Sequence, residues 1–268
     1  VHTVVFLDLD DTILQTRAKC PPDLPLETAA VSREGEPLSF ITSRQQTLWR
    51  FLADATTIPV TGRTLDALHR VRLTFSSFAI LDFGGVVLLP DRSLDSTWDQ
   101  RIRPQALAGA SHLRSLCALA QKWSDQLGLQ TRARIISDFD MPLYVAIKCP
   151  LCREHRQTSA VEQLARLQAR LEPDLDRDRY FLHANDNNLS LLPRFLGKEK
   201  AVQHVLDQHL AGEPRLTLGM GDSLTDAPFL NLCDYAILPC DSQLARHTLV
   251  RSIAGDAGVP PHPPGAEV

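Results

Sequence analysis

Apolar residues along the chain fall into short runs that stop abruptly at polar clusters. Val4-Val5-Phe6-Leu7 reads as a strand ending in Asp8-Leu9-Asp10-Asp11-Thr12, and Thr57-Ile58-Pro59-Val60 as a second, ending in Thr61-Gly62-Arg63-Thr64. Leu216-Thr217-Leu218-Gly219-Met220 is a third, ending in Gly221-Asp222-Ser223-Leu224-Thr225-Asp226 before a helical pattern from Ala227 to Leu232. Strand and helix alternate from residue 3 to about 82 and again from about 197 to 250. That alternation is the signature of a parallel sheet with crossover helices, so the predicted class is α/β, a Rossmann-like parallel core with helices on both faces.

The middle of the chain breaks this rhythm. A helical pattern from about Gln105 to Leu127 carries Leu107, Leu113, Leu116, Leu119, Ala120 and Trp123 at near-helical spacing. Strand-like runs Arg134 to Phe139 and Leu143 to Cys149 follow, separated by Asp140-Met141-Pro142. The order then repeats: a helix from about Ser159 to Leu171, and strands Tyr180 to Ala184 and Leu189 to Leu192 around Asn185-Asp186-Asn187-Asn188, residues that suit a hairpin turn. Two αββ units predict a small antiparallel sheet covered by two helices, an inserted α+β cap domain. The expected boundaries are 1–84 and 195–252 for the core, 85–194 for the cap, and 253–268 for a disordered, proline-rich tail.

A second insertion lies between Thr12 and a helix starting near Ser43, with a hairpin expected from Leu26 to Val31 and Pro37 to Thr42. Its place in the chain fits either a flap at the mouth of a site or a surface hairpin.

The polar clusters carry the chemistry. Side chains alternate faces along a strand, so Asp8 and Asp10 share one side while Leu7 and Leu9 share the other. Carboxylates that close repel, and an oxygen-seeking dication relieves them. Asp222 and Asp226 form a second acidic turn where a strand gives way to a helix, and Thr61 sits at the end of a third strand. Ligands of open parallel α/β sheets bind beyond the carboxyl ends of the strands.

These residues resemble the haloacid dehalogenase-like hydrolases, most of which are phosphatases. The resemblance covers roughly residues 3 to 240 and rests on four motifs in order: Asp8, Asp10 and Thr12; Thr61; Lys198 in Gly197-Lys198-Glu199-Lys200-Ala201; and Asp222 with Asp226. It implies that Asp8 is the nucleophile and Asp10 the acid and base. Thr61, Gly62 and Lys198 are implied to bind phosphate, and Asp8, Asp10, Asp222 and Asp226 to hold Mg²⁺. The presence of Asp10 favours expulsion of an alcohol, hence phosphate ester chemistry over carbon–halogen chemistry. The insert resembles the larger cap class, whose members include sucrose-phosphate and mannosyl-3-phosphoglycerate phosphatases, so a sugar phosphate or similar metabolite is the implied substrate. A phosphomutase shares every one of these groups, and a binding protein that keeps the fold is a further alternative.

Two positions depart from the pattern. Lys200 opens the same helix as Lys198, and Thr225 stands where similar proteins usually carry Asn beside the last Asp. Arg63 admits two readings, a substrate contact or a partner of a surface carboxylate. In the cap, Lys148, Arg153, His183, Asn185 and Asn187 are positioned to meet substrate or merely to face solvent.

Composition narrows the field further. At 268 residues with 44% hydrophobic content the chain has enough material for one large or two modest cores. A net charge of −4 without a long basic run argues against nucleic acid as a partner. No apolar stretch is long enough to cross a bilayer and no signal-like start precedes the first strand, so a cytoplasmic location is expected. Cys149-Pro150-Leu151-Cys152 with His155 resembles half a zinc site, but no second Cys-x-x-Cys exists to complete it.

Overall fold

The computed structural model describes residues 1–149, 157–185, 188–212 and 214–250. Four parallel strands form the first sheet, in the order β12 (Tyr235–Ile237), β11 (Arg215–Met220), β1 (His2–Leu7) and β4 (Thr56–Pro59). Leu7 of the central strand pairs with Met220 on one side and Pro59 on the other, so the three strands that end in polar clusters end level. Val4, Val5, Phe6 and Leu7 are all buried, as a parallel strand covered on both faces requires. Val60 bridges to Ile80 of β5 (Ala79–Leu81), which turns back antiparallel into β6 (Val86–Leu88).

The helices around this sheet are short and capped from the sequence. Thr42 and Gln45 form a reciprocal capping box at α1 (Ser43–Phe51), and Thr64 caps α2 (Leu65–His69). The insert supplies α3 (Ser96–Gln126), β7 (Arg132–Asp138), β8 (Met141–Lys148), α4 (Gln157–Leu171), β9 (Tyr180–Asn185) and β10 (Asn188–Pro193). The chain returns through α5 (Lys198–Gln208), whose Ala201, Val202 and Val205 are buried in the main core, and closes with α6 (Ala227–Leu230) and α7 (Gln243–Ala245).

The insert is a separate antiparallel sheet, β7-β8-β10-β9, with its own core. Alternation divides its two faces. Ala133, Ile135, Val145, Ile147, Leu189 and Leu191 pack with Leu113, Leu116 and Ala120 of α3 and Leu164 and Leu167 of α4. The opposite face bears Arg132, Arg134, Lys148, Asn188, Ser190 and His183, and its apolar members Ile136, Tyr144 and Ala146 join the main core instead. That polar face therefore turns toward the level ends of the main strands. Tyr144 Oη donates to the Gly62 carbonyl at 3.0 Å, and Asn185 Nδ2 to Asp11 Oδ2 at 3.4 Å.

Two boundaries differ from the sequence expectation. Helix α3 begins at Ser96, well before Gln105, because Asp95 accepts from the Trp98 N–H at 2.9 Å and caps it, while Trp98 and Ile102 are buried. Pro104 lies inside this helix; its missing N–H disguises the first turns in the sequence. The first cap turn is Phe139-Asp140, both at positive φ, so Met141 and Pro142 belong to the strand. Pro142 is accommodated at a register shift opposite Ile136 and Ser137.

The second insertion forms the hairpin β2 (Leu26–Val31) and β3 (Pro37–Thr42). It is tied to the core by reciprocal backbone bonds between Gln15 and Phe40 at 2.9 and 2.7 Å.

Candidate active site

Asp8 is the first residue past β1, and its N–H still donates to the Met220 carbonyl at 2.8 Å, so its position is held in the sheet ladder. The chain then turns sharply through Asp11 at φ 63, with Leu14 N–H returning to the Leu9 carbonyl. Thr12 Oγ1 donates to Asp8 Oδ2 at 3.3 Å. On the other side of the carboxylate, Lys198 Nζ donates to Asp8 Oδ1 at 2.7 Å and to Asp226 Oδ1 at 2.6 Å. Lys198 is buried at the first turn of α5, whereas Lys200 is spent on the Arg194 carbonyl. Of the two lysines, only Lys198 enters the acidic cluster.

Asp226 is fully buried, and its other oxygen accepts from Asp222 N–H, Ser223 N–H and Ser223 Oγ at 3.1, 2.9 and 2.8 Å. Thr225 pairs with the Ser223 hydroxyl. One oxygen each from Asp8, Asp222 and Asp226 lies within 4.8 Å of the other two. An all-carboxylate donor set of this size suits a hard divalent cation.

Electrostatics follow from this crowding. Burial, together with Asp226 and Asp222, pushes the Asp8 carboxyl well up despite the attraction of Lys198. Asp222 is pushed up to about 7 by burial, then by Asp226 and Asp11. Burial also works against ionisation of Asp226, but Lys198 and the Ser223 hydrogen bonds outweigh it and hold that carboxyl down. Burial disfavours the charged lysine, and the two carboxylates overcome this, so Lys198 stays above the ordinary lysine range.

Thr61 is buried at the end of β4, and its Oγ1 accepts from the Arg63 N–H at 3.1 Å. Gly62 lies against Phe83: an added Cβ would sit 2.5 Å from the ring, which explains the need for glycine there. Arg63 takes a partner that neither sequence reading named. Its Nε and Nη2 donate to the two oxygens of Asp10 at 2.8 and 2.7 Å, and Nη2 also reaches Ser39 Oγ of β3 at 3.3 Å. The hairpin insertion is therefore part of the site wall.

A cavity of about 860 Å³ opens between hairpin, core and cap, lined by Asp11, Thr12, Lys19, Arg44, Asn185 and Asp222 among others. A second, of about 680 Å³, reaches Lys198, Thr225, Phe83 and His183 from the other side. His183 is kept neutral, its pKa pushed down to about 4 by burial and by Lys198. Asn187 and Arg153 lie outside the described residues, as do Cys152 and His155. Ser39, Asp11 and Ser223 are contributors the sequence reading passed over; Asp11 and Ser223 at least adjoin the motifs, while Ser39 carries no local signal.

Similarity to solved structures places this arrangement. The C-terminal domain of trehalose-6-phosphate phosphatase from C. albicans matches 86% of this chain and 73% of its own at 13% identity and a TM-score of 0.55. A Thermoplasma acidophilum protein, 0175, matches 94% of this chain and 89% of its own at 11% identity and a TM-score of 0.51. The N-terminally truncated IMP-nucleotidase of Plasmodium falciparum matches 89% and 66% at 11% identity and a TM-score of 0.50. The chain has the haloacid dehalogenase-like hydrolase fold. At these identities the likeness is one of fold. No family model and no curated protein matches the sequence. Within this fold the parallel sheet is the core and the antiparallel insert the cap, and no described helix is long and apolar enough to cross a membrane.

Proposed function

We propose that the chain is a Mg²⁺-dependent phosphatase that hydrolyses a small phosphate monoester, a sugar phosphate or related metabolite, with residues 1–84 and 195–252 as catalytic core and 85–194 as cap. The observation that carries this reading is the convergence of Asp8, Asp222 and Asp226 within 4.8 Å around buried Lys198, at the level ends of neighbouring parallel strands. Asp8, Asp222 and Asp226, with the Asp10 carbonyl, would hold the ion, which supplies positive charge to a meeting of two anions.

In the first step an Asp8 carboxylate oxygen bonds to phosphorus as the ester P–O bond breaks, and Asp10 gives a proton to the departing alkoxide. In the second, water attacks phosphorus, Asp10 takes its proton, and the Asp8–phosphorus linkage opens to release orthophosphate. Lys198 offsets charge on the nucleophile and the transferred group, and the Thr61 hydroxyl and Gly62 backbone orient phosphoryl oxygens. Arg63 sets the direction of Asp10 and holds it ionised, the form that receives the proton from water. A phosphate dianion arriving beside Asp10 raises its affinity for the proton needed in the first step.

The test is turnover of p-nitrophenyl phosphate with and without Mg²⁺, in the native chain and in Asp8→Asn. Activity that needs the metal and disappears in the variant is expected. Equal rates in the two proteins would remove Asp8 from the mechanism, and isomerised sugar phosphate in place of orthophosphate would reassign the chain as a mutase.

A further inference from the structure

The cap sheet carries cations on the face that meets the core. Residues paired across an antiparallel ladder share a face, and the register sets Arg132 opposite Lys148, Arg134 opposite Ala146, and Ile136 opposite Tyr144. Tyr144 on this face reaches the Gly62 carbonyl, which fixes the face over the strand ends that carry Thr61, Arg63 and Asp10. At the far end of the same face Lys148 pairs with Asn188, and Asn188 with Asn185, which contacts Asp11. Lys148 lies between the two points where the cap touches the site, within the field of Asp10 and Arg63, and Arg134 stands beside it on the edge strand β7.

Neither cation has an ion-pair partner among the described residues, whereas Asp8, Asp10, Asp11 and Asp226 below are already matched. Asp10 holds Arg63, Asp11 holds Lys19, and Asp8 and Asp226 share Lys198. Asp138, on the same face of β7 as Arg134, accepts from the Leu65 N–H at 2.7 Å. Lys148 and Arg134 are both exposed, yet partial desolvation, then Arg134 and Arg63, hold the Lys148 ammonium below the ordinary lysine range, with Asp10 acting the other way. Like charges gathered together repel one another, and an anionic ligand relieves that repulsion.

Resting on the phosphatase reading, we propose that the alcohol portion of the substrate carries an anionic group of its own, a carboxylate or a second phosphate, held by Lys148 and Arg134. The transferred phosphoryl group lies on Asp8, Thr61 and Lys198, so the leaving oxygen points up at Asp10 and the remainder of the alcohol meets the cap face. A neutral sugar leaves the two cations to water. An acidic one gives them charge-assisted hydrogen bonds.

The experiment compares kcat/KM for glucose 6-phosphate, 6-phosphogluconate and glucose 1,6-bisphosphate, measured as orthophosphate release, in the native chain and in Lys148→Met, Arg134→Met and the double variant. At least one acidic ester is expected to exceed glucose 6-phosphate by about tenfold or more, a difference of the size one charged contact confers. That preference is expected to shrink by a similar factor in each single variant and further in the double, and to fall with rising salt. Preference for 6-phosphogluconate identifies a carboxylate, and preference for the bisphosphate a second phosphate. Equal use of the three esters, or a preference unchanged by the variants, overturns the proposal while leaving the phosphatase reading intact. Failure of the native chain to hydrolyse these esters and p-nitrophenyl phosphate with Mg²⁺ overturns both.

Discussion

Arg63 grips both carboxylate oxygens of Asp10, from Nε at 2.8 Å and Nη2 at 2.7 Å, across 53 residues of sequence. The bidentate fork fixes direction as well as charge. Burial alone would favour the protonated acid, but the charge and hydrogen bonds of Arg63 outweigh it and hold Asp10 below the ordinary carboxylate range. Ser39 of the hairpin steadies the same guanidinium at 3.3 Å.

Removing the fork is expected to free Asp10 upward. In Arg63→Met the acidic limb of the pH profile for kcat/KM, measured with an alkyl phosphate, moves to higher pH by about one unit, the scale of a single charged neighbour. The maximal rate falls by roughly a hundredfold as the acid loses its aim. Arg63→Lys restores the charge without the fork and recovers the limb more fully than the rate. An acidic limb that stays in place in Arg63→Met would mean that Asp10 does not set it.

Lys198 bridges two carboxylates with only 4% of its side chain exposed. Lys198→Met leaves Asp8 and Asp226 buried without their cation, a change that costs roughly 3–5 kcal/mol of folding free energy when one partner of a buried pair is lost. Urea denaturation without divalent ions measures this directly. Added Mg²⁺ is expected to return part of the stability but little of the activity. A loss under about 1 kcal/mol, within the range of an exposed pair, would show that this contact does not hold the cluster together.

Because Asp222 titrates near 7, through burial and then Asp226 and Asp11, it gives up a proton when a cation binds below that pH. Mg²⁺ affinity is therefore expected to rise between pH 6 and pH 8, with protons released on binding. Thermal melts with Mg²⁺ at both pH values, and calorimetry in buffers of different ionisation heat, test the sign. Asp222→Asn is expected to lose most of the Mg²⁺-dependent shift in melting temperature. Tighter binding at pH 6 would contradict the assignment.

What was legible in the sequence is what local chemistry dictates. The apolar runs ending at Asp8, Thr61 and Asp222 could be placed together because parallel strands bring their carboxyl ends to one edge. The hairpin at Leu26–Val31 and Pro37–Thr42 was readable from its turn at Arg33-Glu34-Gly35-Glu36. The grip of Arg63 on Asp10 was not, since a residue equally able to pair with any carboxylate names no partner until the strands are aligned. The start of α3 was masked by Pro104, whose local cost is outweighed by the Asp95 cap and by burial of Trp98 and Ile102. Lys148 admitted a substrate contact or a solvated edge, and Arg134 drew no reading, since only the register of β7 and β8 puts the two on one face of the cap sheet.

Asp82, directly after β5, is fully buried, and neither of its oxygens has a hydrogen-bond partner among the described residues. It opens a run of three positive φ values, 52 at Asp82, 55 at Phe83 and 89 at Gly84, where the chain leaves the core for the cap. Burial first, then the neighbouring Asp138, pushes its carboxyl well above the ordinary range. The folded chain thus keeps a proton on Asp82 that the unfolded chain loses above about pH 4. Folding takes up that proton, so this group's contribution is fully present below the unfolded pKa and declines as pH rises toward the folded one. The slope is about 1.4 kcal/mol per pH unit. Asp82→Asn carries no charge to bury and is expected to flatten that slope, becoming more stable than the native chain at pH 7 and converging with it near pH 4. Urea denaturation at pH 4, 5, 6 and 7 in the two proteins decides the matter; parallel stability curves would mean that Asp82 is ionised in the folded chain.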